Sequence, residues 1–184
     1  MAKDPSFRFA TRAKLRDPYH PNQTALTPDY ILEPVRRALG GIGLDPCTTP
    51  DNPCDAWKFY APPDDGLVLP WEADTIYVNP PYGNARIPWL QRCIDESADG
   101  RQVVLLMPSA SDTEPFQRML RTAHSLCFIK GRVKFKLPRL NGRQMAASHP
   151  SILAGFNVDL SYECAALGYC LALSPEARNL RLVL

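Results

Sequence analysis

The sequence predicts an α/β domain built on a mostly parallel sheet. Short apolar runs that stop at turn-forming residues alternate with segments of helical periodicity. The clearest run, Val103-Val104-Leu105-Leu106-Met107, shows no polar alternation, as a strand covered on both faces requires. A chain of 184 residues with 45% apolar and 22% charged side chains has the composition of one globular domain that buries its core without staples.

Residues 1–26 form a basic arm, with Lys3, Arg8, Arg12, Lys14 and Arg16 set among Phe7, Phe9 and Tyr19. No apolar periodicity is sustained there, so the arm is either a loosely docked terminus or a segment that touches a nucleic-acid backbone. The domain proper spans 27–184. A helix starts at Thr27-Pro28-Asp29, with Ile31, Leu32, Val35 and Leu39 at helical spacing. Pro34 should kink it or delay its start, and Gly40-Gly41 closes it. Ile42-Gly43-Leu44 is a short buried strand ending at Asp45-Pro46, and the Pro-, Asp-, Thr- and Asn-rich stretch from Cys47 to Leu69 is loop.

Thr75-Ile76-Tyr77-Val78 is a second strand, halted by Asn79-Pro80-Pro81-Tyr82-Gly83. Pro88 to Ala98 forms a helix that packs Trp89, Leu90, Cys93 and Ile94 on one face. After the strand at 103–107, Asp112 caps a helix that runs to about Ala123. Leu126 to Ile129 and Ser151 to Phe156 are strands, Gly131 to Phe135 is extended, and a turn at Gly168 precedes a last strand from Tyr169 to Leu173.

Composition excludes several classes. No run is long enough to span a membrane and no charged-then-apolar leader opens the chain, which predicts a soluble, cytoplasmic domain. The net charge of +2 permits nucleic-acid binding without announcing it. Cys47, Cys54, Cys93, Cys127, Cys164 and Cys170 form no C-x-x-C pair and have no histidine set to complete a zinc site, so reduced thiols and no metal are expected.

Ligands of open α/β sheets bind at the carboxyl ends of strands, and two strands here end in unusual polar sequences. Leu44 runs into Asp45-Pro46-Cys47, and Val78 into Asn79-Pro80-Pro81-Tyr82. Consecutive prolines stiffen the backbone and offer no N–H, so nearby carbonyls keep few local partners. Asn79 adds a side-chain carbonyl and Tyr82 a flat aromatic face. Such a cluster suits an exocyclic amine, a poor nucleophile because its lone pair is delocalised into the ring. The Asn79 side-chain oxygen and the Pro80 carbonyl can hold its two N–H groups and favour a pyramidal nitrogen facing an electrophilic methyl group. Tyr82 would stack on the extruded base.

At these residues the chain resembles the S-adenosylmethionine-dependent amino-methyltransferases, and more narrowly the phage-type DNA N6-adenine methyltransferases, in order from Thr27 to about Phe156. The resemblance implies a Rossmann-like class I methyltransferase fold with flanking helices, S-adenosylmethionine as cofactor, DNA as substrate and a bacterial or phage origin. Asn79-Pro80-Pro81-Tyr82-Gly83 matches the catalytic motif without change, which implies catalytic roles for Asn79, Pro80, Pro81 and Tyr82 and base contacts from Tyr82 and Gly83. Thr27-Pro28 resembles the element that contacts the carboxylate end of the cofactor. Asp45-Pro46-Cys47, with Asn52, resembles the loop that wraps its methionine part. Asp65-Gly66-Leu67 followed by Trp71 resembles a segment whose acid lies near the cofactor adenine. Gly131-Arg132-Val133-Lys134-Phe135 resembles a segment whose aromatic covers the other face of the target base, with Arg132 beside it.

Plainer readings stand beside these. Asp45 could instead cap the turn after its strand, Asp65 could belong to an Asp-Asp-Gly turn, and Phe135 equally serves as a core aromatic. Trp89 is core. Met107-Pro108-Ser109 could line the pocket from the neighbouring strand. Arg132, Lys134, Lys136, Arg139 and Arg143 are a solvated face or a phosphate-holding one. The loop from Asp45 to Pro50 lacks the glycines usual for close cofactor approach, which keeps open a domain that binds cofactor or nucleic acid without turnover. Methyltransferases acting on RNA guanine or protein glutamine use the same tetrapeptide. No added recognition region stands out between Gly83 and Leu184, so a short or relaxed target is expected, or recognition completed by a second subunit in a homodimer.

Overall fold

The computed structural model describes residues 25–81, 83–137 and 143–173. Along them run α1 (Asp29–Leu39), β1 (Leu44–Asp45), β2 (Lys58–Phe59), β3 (Thr75–Val78), α2 (Arg86–Ala98), β4 (Gln102–Pro108) and α3 (Glu114–Thr122). Then follow β5 (Ser125–Ile129), β6 (Lys134–Leu137), β7 (Arg143–Ala146), β8 (Ser151–Phe156) and β9 (Gly168–Ala172). Residues 1–24 of the basic arm, Tyr82 and Arg139 lie outside the described residues.

Seven strands form one sheet in the order β2-β1-β3-β4-β8-β5-β9, and β6 pairs with β7 in a separate ribbon. The α/β class is as predicted, but the sheet is mixed. β2, β1, β3 and β4 are parallel neighbours, whereas β8 runs antiparallel between β4 and β5, and β9 antiparallel to β5. A parallel neighbour needs a crossover, as a rule a helix. Between β5 and β8 the described chain carries only the β6–β7 ribbon, so β8 returns in the opposite sense.

Alternation along the strands divides the core into two layers. Tyr77, Val104, Leu106 and Leu153 face α1, which buries Ile31, Leu32, Val35 and Leu39 against them. Ile76, Val78, Val103, Leu105 and Met107 face the other way, onto Trp89 and Leu90 of α2 and Phe116 and Met119 of α3. Helices therefore cover both faces. Among the described residues, no helix is long and apolar enough to cross a membrane.

Three local expectations need correction. Pro34 does not delay α1, which starts at Asp29 and runs through it. Burial of Pro34 beside Leu32 and Val35 outweighs the one hydrogen bond its missing N–H forfeits. The helix then ends in a double cap, Gly41 N–H to Arg36 O at 2.8 Å and Gly40 N–H to Arg37 O at 3.2 Å, with Gly40 at φ +69° where a side chain would be strained. Asp112 does not cap α3: Thr113 takes that place with extended backbone, and Pro115 next to the helix start holds the boundary there. Finally, the 47–69 loop contains β2, held by β1 through Lys58 N–H to Gly43 O (3.0 Å) and Tyr60 N–H to Asp45 O (2.9 Å).

Candidate active site

The carboxyl ends of β1, β3 and β4 meet at a cavity of about 970 Å³. Its floor comes from Asp45 and Cys47 after β1, Asn79 and Pro80 after β3, and Pro108 to Thr113 after β4. The β6–β7 ribbon forms the opposite wall with Phe135, Leu137 and Met145, and the strap Ala25-Leu26-Thr27 closes one side.

The strap sets the geometry of Asn79. Leu26 exchanges two backbone bonds with Lys136 of β6, at 2.8 and 3.0 Å, which fixes Ala25 beside β3. The Asn79 amide nitrogen donates to the Ala25 carbonyl at 3.0 Å. That contact commits Nδ2 and leaves Oδ1 as an acceptor that no described donor reaches. The carbonyl of buried Pro80 is likewise unclaimed among the described residues. Two acceptors thus stand side by side on a stiff corner, as the Asn-Pro-Pro sequence suggests. The Cys47 thiol ties that corner to the first loop by donating to the Asn79 carbonyl at 3.4 Å.

Asp45 is 2% exposed. Its Oδ1 accepts the Cys47 N–H at 3.0 Å, so it caps the turn and lines the cavity at once. The Thr48 hydroxyl and the Cys54 thiol also bond to it, but burial dominates and pushes the carboxyl up to about 6. No cation forms an ion pair with it among the described residues. Burial also drives the Cys47 and Cys54 thiols well above their ordinary range, so both stay protonated donors. Nearby, Thr49 lines the cavity with a buried Oγ1 that has no hydrogen-bond partner among the described residues. Thr27 does not cap α1. Its hydroxyl pairs instead with the Tyr77 hydroxyl at 2.8 Å, both groups buried at the cavity wall.

The remaining predicted residues divide. Phe135 is 4% exposed and lines the cavity, so it is both core and wall. Pro108 and Ser109 line it as anticipated, whereas Met107 belongs to the core. Pro28 and Pro46 are buried behind the wall, Pro81 is half-buried beside it, and Gly83 opens a 3₁₀ turn leading to α2. Arg132 is exposed outside the cavity and donates to the Ser148 carbonyl at 2.8 Å, shaping the rim rather than the floor. Asp65 is exposed and also stands outside the lining, with its Oδ1 accepting the Leu67 N–H at 3.0 Å. Its neighbour Gly66 buttresses the first loop from behind: a Cβ there would lie 1.8 Å from the Pro46 carbonyl oxygen, and the Trp71 indole fixes the Gly66 carbonyl at 2.7 Å.

Tyr77, Thr49, Arg86 and the β7 wall were not anticipated as site residues. For Tyr77 a signal existed, since a phenol in a fully apolar strand needs a hydroxyl partner. For the others, only the packed structure reveals the position.

No curated protein matches the chain. The family model described as DNA N-6-adenine-methyltransferase (Dam) matches residues 16–159, which include the strap, both strand-end loops and the β6–β7 ribbon. By that match over most of its length, joined to a strand-end corner of free acceptors, the chain belongs to the Dam family of DNA N-6-adenine-methyltransferases.

Proposed function

We propose that the protein transfers a methyl group from S-adenosylmethionine to N6 of an adenine turned out of duplex DNA. What carries this reading is one cavity holding two acceptors unclaimed among the described residues, Asn79 Oδ1 and the Pro80 carbonyl, beside the buried carboxylate of Asp45, which none of their cations pairs. The polar groups present fit the cofactor. Asp45 suits its ammonium group, while the unpartnered Thr49 hydroxyl and the Thr27–Tyr77 hydroxyl pair suit its polar end. The volume lies at the upper end of the roughly 300–1,000 Å³ typical of small-molecule sites, leaving room for a base as well. When bound, the cofactor supplies a methyl group already activated by a sulfonium.

The chain's own work is on the amine. Asn79 Oδ1 and the Pro80 carbonyl accept the two N–H bonds of N6, draw it towards a pyramidal form and stabilise the positive charge that develops on it. The methylated nitrogen, strongly acidic once it is positively charged, releases its surplus proton to water. Prolines 80 and 81 offer no N–H to compete for the oxygens. Tyr82 stacks on one face of the flipped base and Phe135 covers the other. In the same proposal, a parallel half-sheet with helices on both faces and one reversed strand between β4 and β5 is the Rossmann-like class I arrangement.

Calorimetry with S-adenosylmethionine, paired with labelled-methyl transfer to unmethylated DNA, RNA and protein, tests the reading. Wild type should bind the cofactor and label DNA at adenine N6. Asn79→Ala should keep binding and lose roughly 100- to 1,000-fold in transfer, as when one preorganised polar group is removed from a reacting centre. Undiminished transfer by Asn79→Ala, or label in RNA or protein but not DNA, refutes it.

A further inference from the structure

All four residues of β7 are exposed, so no core packing accounts for this strand. Cross-strand partners share a face of the ribbon. Phe135 stands opposite Met145 and Leu137 opposite Arg143. Phe135 and Leu137 are 4% and 6% exposed and line the cavity together with Met145. Arg143 therefore lies on the cavity face, two residues beyond Met145 and outside the cavity mouth.

Its surroundings set it apart from Lys136 and Arg132, and its face of the ribbon sets it apart from Lys134. Lys136, on the opposite face, donates to Asp29 at 2.8 Å, and Arg132 donates to the Ser148 carbonyl at 2.8 Å. Among the described residues nothing holds the Arg143 guanidinium. Two strand residues span about 7 Å, the rise of about two base pairs. A two-stranded ribbon fits the major groove, where an arginine fork matches O6 and N7 of guanine.

We propose that Arg143 determines sequence specificity, its guanidinium reading a guanine within two base pairs of the flipped adenine while the ribbon lies in the major groove. This rests on the DNA-adenine reading above and extends it to target choice. No added recognition region stands out in the sequence between Gly83 and Leu184, and a single reading side chain accords with a short target.

The test maps methylated positions on DNA with randomised sequence around adenine, for wild type, Arg143→Ala, Arg143→Lys and Lys134→Ala. Wild type should prefer guanine at one flanking position. Both Arg143 variants should lose roughly 10- to 100-fold of that preference, because lysine keeps the charge but not the fork, with cofactor binding unchanged by calorimetry. Lys134→Ala, on the other face, should weaken all sites alike. An Arg143→Ala profile identical to wild type, with the rate uniformly lowered or untouched, overturns the proposal and leaves the methyl-transfer reading standing. A wild-type protein that methylates no DNA overturns both.

Discussion

Asp45→Asn separates the cost of a buried carboxylate from its use. Burial raises the Asp45 carboxyl from 3.8 to about 6. At about 1.36 kcal/mol per pH unit, that difference of about two pH units is worth about 3 kcal/mol. The folded protein holds this proton more tightly than the unfolded chain. The group's contribution to ligand-free stability is therefore fully present below pH 4, is lost as pH rises through 6, and stays lost above it. Asparagine has no charge to bury and can still accept the Cys47 N–H. The variant should gain on wild type between pH 4 and 8 by up to about 3 kcal/mol, a widening of several degrees at about 2–4 °C per kcal/mol for a chain of this size. Cofactor binding should move the other way. A cation relieves the buried charge only once the carboxyl is ionised, so wild-type affinity for S-adenosylmethionine should fall by up to tenfold per pH unit below about 6. Asp45→Asn should bind weakly at every pH. Scanning fluorimetry from pH 4.5 to 8, with calorimetry at the same pH values, measures both effects. A melting-temperature gap that ignores pH, or an asparagine variant that binds the cofactor as tightly as wild type at pH 8, would refute the reasoning.

Two further substitutions probe the cavity walls. Tyr77→Phe strands the buried Thr27 hydroxyl that it meets at 2.8 Å, and should cost about 1–3 kcal/mol in urea unfolding together with cofactor affinity; unchanged values for both would show that the pair has no role. Gly66→Ala places a Cβ 1.8 Å from the Pro46 carbonyl oxygen, so the Asp45-Pro46-Cys47 loop must shift. A loss of about 1–3 kcal/mol with weakened cofactor binding is expected, and intact binding in a destabilised variant would place Gly66 outside the support of the site.

The chain itself announced the elements whose signals are local. Thr75–Val78 and Ser151–Phe156 appear with the predicted ends, because apolar runs bounded by turn formers carry their own limits. The Asn79-Pro80 corner was legible for the same reason: proline stiffness and a carbonyl-rich strand end are covalent properties of four consecutive residues. What the sequence could not show depends on partners far along the chain. β2 and β7 have no apolar run of their own and exist through pairing with β1 and β6. The orientation of the Asn79 amide comes from Ala25, 54 residues away, and the burial of Asp45 from loops packed over it. Local stiffness and hydrophobic pattern are written residue by residue. Which acceptor stays free, which carboxylate loses its water and which arginine stands at the mouth follow from tertiary packing alone, because desolvation and hydrogen-bond competition are properties of neighbours in space.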